Sequence, residues 1–239
     1  MSCTIVLVHG AFAESASWDG VIDPLEAEGH RVVAAANPLR GLATDAAAVS
    51  DLVRTIEGPV VLVAHSYGGA VMSNVDLDAG DIVGLVYVNG FAPEPGEHCF
   101  QLAAKFPGSR LGEETLRPVP RSDGTTDFYV ATDSFHDVFC QDIPAQHAAR
   151  LAATQRPATQ QALVEPSGER PLWKDVPSWF LIGEEDRIIP QRLQYFMANR
   201  AQAHEIFEIP TASHAALVSH PEKTARFILD AIAPVSAYV

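Results

Sequence analysis

A serine lies at a sharp junction between an apolar run and a stretch of small residues. Residues 60–64 read Val-Val-Leu-Val-Ala and are followed by His65, Ser66, Tyr67 and Gly68. This spacing matches the G-x-S-x-G turn, with alanine in the first glycine position, which joins a strand to a helix and exposes the serine hydroxyl. Such a turn strains the serine backbone and needs small neighbours on both sides. We therefore predict that Ser66 is a nucleophile; the alternative is a serine in an ordinary turn.

A nucleophilic serine needs a histidine base, and the base needs a carboxylate that orients it. In proteins with this turn the acid follows the serine along the chain and the histidine comes last. A predicted strand at 178–182 leads into an acidic loop that contains Glu184, Glu185 and Asp186. We prefer Asp186 because the loop that begins at Gly183 needs a few residues to return towards the sheet centre. Glu184 and Glu185 remain the alternatives.

The base is expected in the loop that follows the last predicted strand, at 205–209. His214 lies in that loop, from which its ring can reach over the edge of the sheet to Ser66. His220 is the alternative, but it directly precedes Pro221 and is better interpreted as part of a helix start. The sequence therefore predicts a triad of serine, aspartate and histidine, with His214 as the base.

A serine nucleophile also requires N–H donors for the negative oxygen that forms during acyl transfer. The backbone N–H of Tyr67 is one predicted donor, because the turn directs it towards the reacting centre. The second is expected after the first strand, where Gly10 permits a turn and Ala11 supplies the N–H. Phe12 and Phe91 are predicted to line an apolar substrate pocket, although aromatic residues near a core often only pack.

These residues must be positioned by a sheet, and six apolar runs alternate with helical stretches along the chain. Continuous rather than alternating apolarity indicates strands that are buried on both faces. The alternation predicts a single α/β domain over 1–239, with a mostly parallel six-stranded sheet flanked by helices. The predicted strands are 4–8, 31–36, 60–64, 82–88, 178–182 and 205–209. The predicted helices are 18–28, 44–56, 68–77, 191–200 and 221–231.

The alternation is interrupted once, from about residue 91 to residue 173. This segment opens with prolines and glycine and contains an alanine-rich stretch at 145–153. We predict that it forms a helical cap, and that both of its ends lie at the carboxyl edge of the sheet, above the site. Such a cap is expected to set substrate choice, through apolar residues such as Phe135 and Phe139, without supplying a member of the triad.

Composition excludes several classes of function. The formal net charge is −14 and no basic cluster is present, which argues against binding to nucleic acid or to an anionic membrane surface. The chain has no apolar run long enough to span a bilayer. Three widely spaced cysteines indicate a reducing, cytoplasmic setting rather than a disulfide framework. We expect no metal and no cofactor, a small-molecule substrate, and a monomer or homodimer.

Several short segments, distributed over nearly the whole chain, share the pattern of one family. They are His9-Gly10-Ala11-Phe12, the turn at 64–69, Phe91-Ala92-Pro93, Gln155-Arg156-Pro157, residues 183–186, Ser213-His214 and Ser219-His220-Pro221. In these segments the sequence resembles the bacterial α/β-hydrolases that are related to plant methylesterases and hydroxynitrile lyases. The resemblance implies the α/β-hydrolase fold with a helical cap. It carries the triad and the oxyanion donors onto Ser66, Asp186, His214, Ala11 and Tyr67.

The function expected from this pattern is hydrolysis of small, fairly apolar carboxylic esters through an acyl-enzyme on Ser66. The alternatives are another reaction on the same triad, either cyanohydrin cleavage or carbon–carbon bond hydrolysis, and a ligand-binding receptor on the same fold. For the hydroxynitrile lyases of this family, the resemblance implies a lysine near the catalytic histidine and a hydroxyl residue after the His-Gly pair. Here Ala215 and Ala216 follow the histidine, and Ala11 and Phe12 follow the glycine, which favours ester hydrolysis.

Overall fold

Six of the apolar runs form one parallel sheet in the computed structural model, which describes residues 2–235. In chain order the strands are β1 (Thr4–Val8), β2 (Arg31–Ala35), β3 (Pro59–His65), β4 (Asp81–Val88), β5 (Leu116–Pro120), β6 (Thr126–Val130), β7 (Ala158–Thr159), β8 (Ser178–Gly183) and β9 (Glu205–Ile209). The order of strands in the large sheet is β2-β1-β3-β4-β8-β9, and each neighbouring pair is parallel. The predicted α/β fold and its six-stranded sheet are confirmed.

Helices cover both faces of this sheet. They are α1 (Asp19–Ala27), α2 (Leu42–Val53), α3 (Tyr67–Ser73), α4 (Cys99–Ala103), α5 (Thr132–Phe139), α6 (Ala145–Thr154), α7 (Gln160–Val164), α8 (Gln191–Arg200), α9 (Ala216–Ser219) and α10 (Pro221–Val235). Ile5 and Leu7 of β1 pack in one core with α1 and α10, whereas Val6 and Val8 pack in a second core with α2, α3 and α8. All four side chains are fully buried, and burial of such a side chain contributes about 1.5–3 kcal/mol. The continuous apolarity of the strands follows from this two-sided burial.

The cap, defined here as residues 91–173, contains α4 to α7 and also a small antiparallel sheet that the sequence analysis did not predict. The order of strands in this sheet is β5-β6-β7. Its edge strand β5 contains Pro118 and Pro120, and Val119 between them is exposed. Proline cannot donate to a strand ladder and is confined to edges, so this segment lacks the usual signature of a strand.

Helix α3 approaches β1 so closely that only glycine fits at its second position. A Cβ atom added to Gly68 would lie 2.5 Å from the carbonyl oxygen of Val8 and 2.8 Å from that of His9. Both of these atoms belong to the backbone, which cannot rotate away as a side chain could. The glycine two residues after Ser66 therefore brings the start of α3 against the loop that follows β1.

We predict that Gly68→Ala lowers the free energy of unfolding by about 1–3 kcal/mol, because the added methyl group overpacks a rigid contact. Elsewhere in a helix the same substitution is favourable by roughly 0.5–1 kcal/mol. Gly112→Ala is the control, because a Cβ at that position meets no atom within 4 Å. Urea denaturation of both variants checks the prediction. Equal stabilities of the two variants would contradict the close approach.

Candidate active site

The chain turns at Ser66 from β3 into α3 through an uncommon backbone conformation. Ser66 has φ 55° and ψ −126°, in a region that is disfavoured for residues with a side chain and costs about 1–3 kcal/mol. The strained residue is held through both of its peptide groups. Its N–H donates to the carbonyl of Asn89 at 3.2 Å, and its carbonyl accepts from the N–H groups of Gly69 at 2.9 Å and Phe91 at 3.1 Å. The residues that follow β4 therefore hold the turn in place.

The structure brings together the three side chains that the sequence analysis singled out as a triad. The Oγ atom of Ser66 lies 2.8 Å from Nε2 of His214, and Nδ1 of His214 lies 2.8 Å from Oδ2 of Asp186. The histidine is fully buried and the serine almost so. Because a carboxylate can only accept, Nδ1 carries the proton and Nε2 is left to accept from the serine hydroxyl. This is the arrangement required for general-base activation of a serine.

The carboxyl group of Asp186 accepts four hydrogen bonds besides that of the histidine. Oδ1 accepts from the backbone N–H groups of Ile188 at 2.8 Å and Ile189 at 2.9 Å. Oδ2 accepts from the side-chain amides of Asn89 at 2.8 Å and Gln194 at 3.0 Å. Every contact comes from a donor, so the carboxyl group is held in one orientation. The sequence analysis missed Asn89 and Gln194; the position of Asn89 directly after a predicted strand was the available signal.

The alternative candidates for the acid and the base do not take part in this series of hydrogen bonds. Glu185 is exposed and Glu184 is partly exposed, and within residues 2–235 neither carboxylate is hydrogen-bonded to the histidine. The ring of His220 lies beside Asp142, with 3.9 Å between Nε2 and Oδ2. The geometry therefore distinguishes Asp186 and His214 from their neighbours in sequence.

Two backbone N–H groups beside Ser66 are available to bind an anion. Ala11 and Tyr67 line the same small cavity as Ser66, and neither N–H has an acceptor within residues 2–235. The N–H of the next residue, Phe12, is already used, because it donates to the carbonyl of Arg156 at 3.1 Å. Both donors that the sequence analysis selected are therefore free to bind an oxyanion.

His9 determines how the peptide that carries the Ala11 N–H is oriented. The Nδ1 atom of His9 lies 2.9 Å from the carbonyl oxygen of Gly10, and the N–H of Asn37 donates to Nε2 at 3.2 Å. Burial lowers the pKa of His9 to about 4, so the ring is neutral, with its proton on Nδ1. Since the C=O and N–H of one peptide point in opposite directions, fixing the Gly10 carbonyl also fixes the Ala11 N–H.

The side chain of Tyr67 is anchored away from the catalytic centre. Its hydroxyl donates to Oδ2 of Asp45 on α2 at 2.8 Å. Burial, together with the charge of Asp45, raises the pKa of Tyr67 far above its usual value, so the phenol stays protonated. This buried contact fixes the first residue of α3 and with it the Tyr67 N–H; the sequence analysis did not identify it.

His65 and Phe139 support the catalytic ring from behind and from the side. Nε2 of His65 lies 2.8 Å from the carbonyl oxygen of His214, and the two rings are 4.7 Å apart between centroids. Burial, followed by the charge of the neighbouring His214, lowers the pKa of His65 well below its usual value. Phe139 of the cap places its ring at 86° to that of His214, at 5.0 Å. His65 is therefore a neutral scaffold rather than a second base.

The space above Ser66 is small, and it adjoins a larger apolar cavity in the cap. The cavity at the serine has a volume of about 20 Å³ and is lined by the serine, the histidine, Phe12 and Phe91, among others. The adjoining cavity has a volume of about 530 Å³. Both cavities are lined by Phe100, Ala103 and Leu111. Phe135 and Phe139, expected to shape the substrate pocket, line a different cavity, of about 290 Å³.

Two further properties concern ligands and membranes. Over residues 2–235, no three histidine, cysteine, aspartate or glutamate side chains are grouped so that they could hold a metal ion. No helix in the same part of the chain has the length and hydropathy needed to cross a bilayer.

Comparisons of the sequence with protein families and relatives, and of the structure with solved structures, agree with one another. The profile of the Alpha/beta hydrolase family matches residues 5–227. A pyrethroid hydrolase from Sphingobium wenxiniae is 27% identical over 245 residues, which cover 95% of this chain and 86% of the relative. Methylesterase 7 of Arabidopsis thaliana is 25% identical over 247 residues, which cover 94% of each chain. A crystal structure of a pyrethroid hydrolase superposes with a TM-score of 0.79 at 23% identity, covering 99% of this chain and 100% of the other.

We predict that Asp186→Asn lowers kcat by about 10⁴, the loss that the corresponding change causes in serine proteases through the wrong imidazole tautomer. Glu184→Gln and Glu185→Gln are the matched controls, because they neutralise acids in the same loop without touching the histidine. Steady-state ester hydrolysis by the three variants checks the assignment. A severe loss in either control, with near-normal Asp186→Asn, would place the acid at another residue of the loop.

We also predict that the protein loses stability as the pH falls from about 7 to about 5, in part because His65 stays neutral when folded. The unfolded chain binds a proton at this residue near the usual histidine pKa of about 6.5, whereas the folded chain does not, so unfolding takes up a proton. The free energy of unfolding therefore falls by about 1.4 kcal/mol per pH unit below that value for this residue alone.

The measurement is urea denaturation over the same pH range for the wild type, His65→Gln and His147→Gln. Glutamine at position 65 retains an N–H donor for the His214 carbonyl but does not titrate. The slope of the free energy of unfolding against pH therefore becomes shallower by about one proton, or about 1.4 kcal/mol per pH unit. His147 is partly exposed on α6, and its variant serves as the control. An unchanged slope in His65→Gln would mean that His65 takes up its proton in the folded state.

Proposed function

This chain belongs to the alpha/beta hydrolase family and is a carboxylic ester hydrolase, and we propose that it cleaves small, fairly apolar esters through an acyl-enzyme on Ser66. The observation that carries the proposal is the unbroken series of hydrogen bonds from Ser66 through His214 to Asp186, with 2.8 Å at each step. Each group is buried and held in one orientation by its neighbours.

In the acylation step, Oγ of Ser66 attacks the ester carbonyl carbon while Nε2 of His214 takes the hydroxyl proton. The carbonyl oxygen becomes an oxyanion, which the N–H groups of Ala11 and Tyr67 stabilise. The carboxylate of Asp186 stabilises the imidazolium that forms. As the tetrahedral intermediate collapses, the imidazolium protonates the leaving alkoxide, and the alcohol departs.

Deacylation repeats the same proton transfers with water as the nucleophile. Nε2 of His214 removes a proton from water as its oxygen attacks the acyl carbon, and as the second tetrahedral intermediate collapses the imidazolium returns this proton to the departing Oγ of Ser66. The carboxylic acid is released and the serine is regenerated. No group outside the triad and the two N–H donors is needed for either half-reaction.

The cavities and the charge of the protein support a neutral, apolar substrate. The lining of both cavities is dominated by aromatic and aliphatic side chains, which suit an uncharged ester. A net charge of −14 disfavours anionic substrates. The pyrethroid hydrolase and the methylesterases among the relatives are named for ester cleavage, in line with this proposal.

The alternative of cyanohydrin chemistry is not favoured by the residues around the base. Ala215 and Ala216, both fully buried, follow the histidine where the resemblance implies a lysine for the lyases. A ligand-binding receptor would have no need of an assembled triad with a free pair of N–H donors. We therefore retain ester hydrolysis as the proposed activity.

We propose a cytoplasmic setting and a site that is complete within one chain. The three cysteines, Cys3, Cys99 and Cys140, are buried free thiols, which are typical of a reducing compartment. All the proposed catalytic groups come from a single chain, which is compatible with a monomer or a homodimer.

We predict that Ser66→Ala lowers kcat for ester hydrolysis by roughly 10³ to 10⁶ while the protein remains folded, by analogy with other triads. Ser122→Ala, which removes an exposed hydroxyl from the cap, is the matched control and retains activity. The measurement uses p-nitrophenyl esters of increasing acyl length, with a thioester, a lactone and a cyanohydrin in parallel. Near-normal ester turnover by Ser66→Ala would refute the nucleophile, and cyanohydrin cleavage that exceeds ester hydrolysis would favour the lyase alternative.

A further inference from the structure

Two neighbouring residues of the cap each bind the residue that immediately precedes a member of the proposed triad. The side-chain amide of Gln141 donates to the carbonyl oxygen of Glu185 at 2.7 Å, and Oδ2 of Asp142 accepts from the N–H of Ser213 at 3.0 Å. We propose that Gln141 and Asp142 are positioning residues, which hold the acid loop (residues 184–190) and the base loop (residues 210–215) in catalytic register. The inference rests on the proposed function and assigns the cap a part in the chemistry.

The two contacts close a ring of hydrogen bonds around the loops. The N–H of Glu185 donates to the carbonyl of Ala212 at 3.0 Å, and that carbonyl belongs to the same peptide as the N–H of Ser213. The ring therefore runs from Gln141 to Glu185, across to the 212–213 peptide, and back to Asp142. Without the cap residues the ring would be open, and of its three contacts the one between Glu185 and Ala212 would remain. A closed ring fixes both the spacing and the rotation of the two loops, which a single bond cannot do.

The positions that the ring fixes are the ones on which catalysis depends. Asp186 follows Glu185 directly and His214 follows Ser213 directly, so any rotation of either peptide moves a triad side chain. Ser213 is completely buried, and a buried N–H that loses its acceptor carries a desolvation cost. Displacement of a catalytic group by about 1 Å is enough to reduce the rate by roughly 10²-fold.

Asp142 is held in place despite an unsatisfied polar atom. Its Oδ1 atom is buried and has no hydrogen-bond partner within residues 2–235. Buried polar atoms without partners are uncommon, and each calls for an explanation, such as a role in the site or a bound water. The other oxygen, Oδ2, contacts the base loop at the N–H of Ser213.

The adjacent part of the cap contacts the same two loops. The guanidinium of Arg187, the residue after Asp186, donates to the carbonyl of Asp137 at 3.0 Å and forms an ion pair with its side chain. Phe139 packs its ring against His214 at 5.0 Å. The end of α5 and the turn after it therefore lie against both the acid loop and the base loop, which makes residues 137–142 the bracing segment of the cap.

The test compares variants that keep or remove the donor and the acceptor. Asp142→Ala removes the acceptor and Gln141→Ala removes the donor. Asp142→Asn keeps an acceptor oxygen for the Ser213 N–H. Gln141→Glu replaces the amide donor by a carboxylate, which cannot donate to the Glu185 carbonyl. Asp133→Ala and Gln146→Ala are matched controls, because both side chains are exposed on cap helices. Two rates are measured: hydrolysis of p-nitrophenyl acetate, and labelling of Ser66 by a small fluorophosphonate, which requires only an activated serine.

We expect Asp142→Ala to lower kcat by about 10- to 100-fold with KM within about twofold, and to slow labelling by a similar factor. Asp142→Asn recovers most of the loss, whereas Gln141→Glu is at least as slow as Gln141→Ala. The controls retain wild-type rates. If the two residues only stabilised the fold, the loss of activity would instead follow the melting temperature of each variant. It would not depend on whether the donor or the acceptor is kept.

Folded alanine variants with unchanged kcat and labelling rates would overturn the inference. A rise in KM with unchanged labelling would also overturn it, because the cap would then act on substrate binding only. If the wild type is labelled at Ser66 but hydrolyses no ester, the proposed function fails while the labelling rates still decide the positioning role. If Ser66 of the wild type is not labelled, the nucleophile and the positioning role fail together.

Discussion

The site depends on one imidazole ring that must bond at both nitrogens at once. His214 reaches Ser66 with Nε2 and Asp186 with Nδ1, and these three residues follow three different strands, β9, β3 and β8. The strand order places β4 between β3 and β8, so the serine and the acid are two strands apart, about 10 Å across the sheet. Asn89, at the end of β4, lies between them: its amide donates to the acid and to the carbonyl of Ser213, while its own carbonyl supports the serine turn.

The groups that support this ring differ from the groups that react, and that difference explains what the sequence could predict. The serine turn depends on residues adjacent in sequence, because the strain at Ser66 requires small neighbours at fixed offsets. The strands of the large sheet could also be predicted from the sequence, because burial on both faces requires continuous apolar runs. By contrast, Asp45 and Asp142 act on residues far away in the chain, and no local pattern marks them as partners. The small sheet of the cap escaped prediction because its edge strand carries prolines instead of a regular alternation.

Three buried histidines lie close to Ser66, the proposed nucleophile, and the contacts of the three rings differ. His214 is the only one of the three that bonds to the hydroxyl. His9 and His65 have lowered pKa values because burial disfavours their charged forms, and each bonds to a backbone carbonyl through one ring nitrogen. Neutral imidazoles provide a donor and an acceptor without adding charge beside the base. They orient the oxyanion loop and the base loop, respectively, and do not compete for the proton.

The position of the cap in the chain has a consequence for biosynthesis. β4 is an inner strand of the finished sheet, but its neighbour β8 is synthesised only after the whole cap. Until then β4 has an unpaired edge, and Tyr87 lacks the ring of Phe180, on which it stacks at 4.4 Å between centroids. Unpaired edges and exposed apolar rings in incomplete chains promote misassociation. A chain that terminates within the cap therefore carries the nucleophile and the oxyanion loop without acid or base, and such a fragment is a client for chaperones and proteases rather than a weak enzyme.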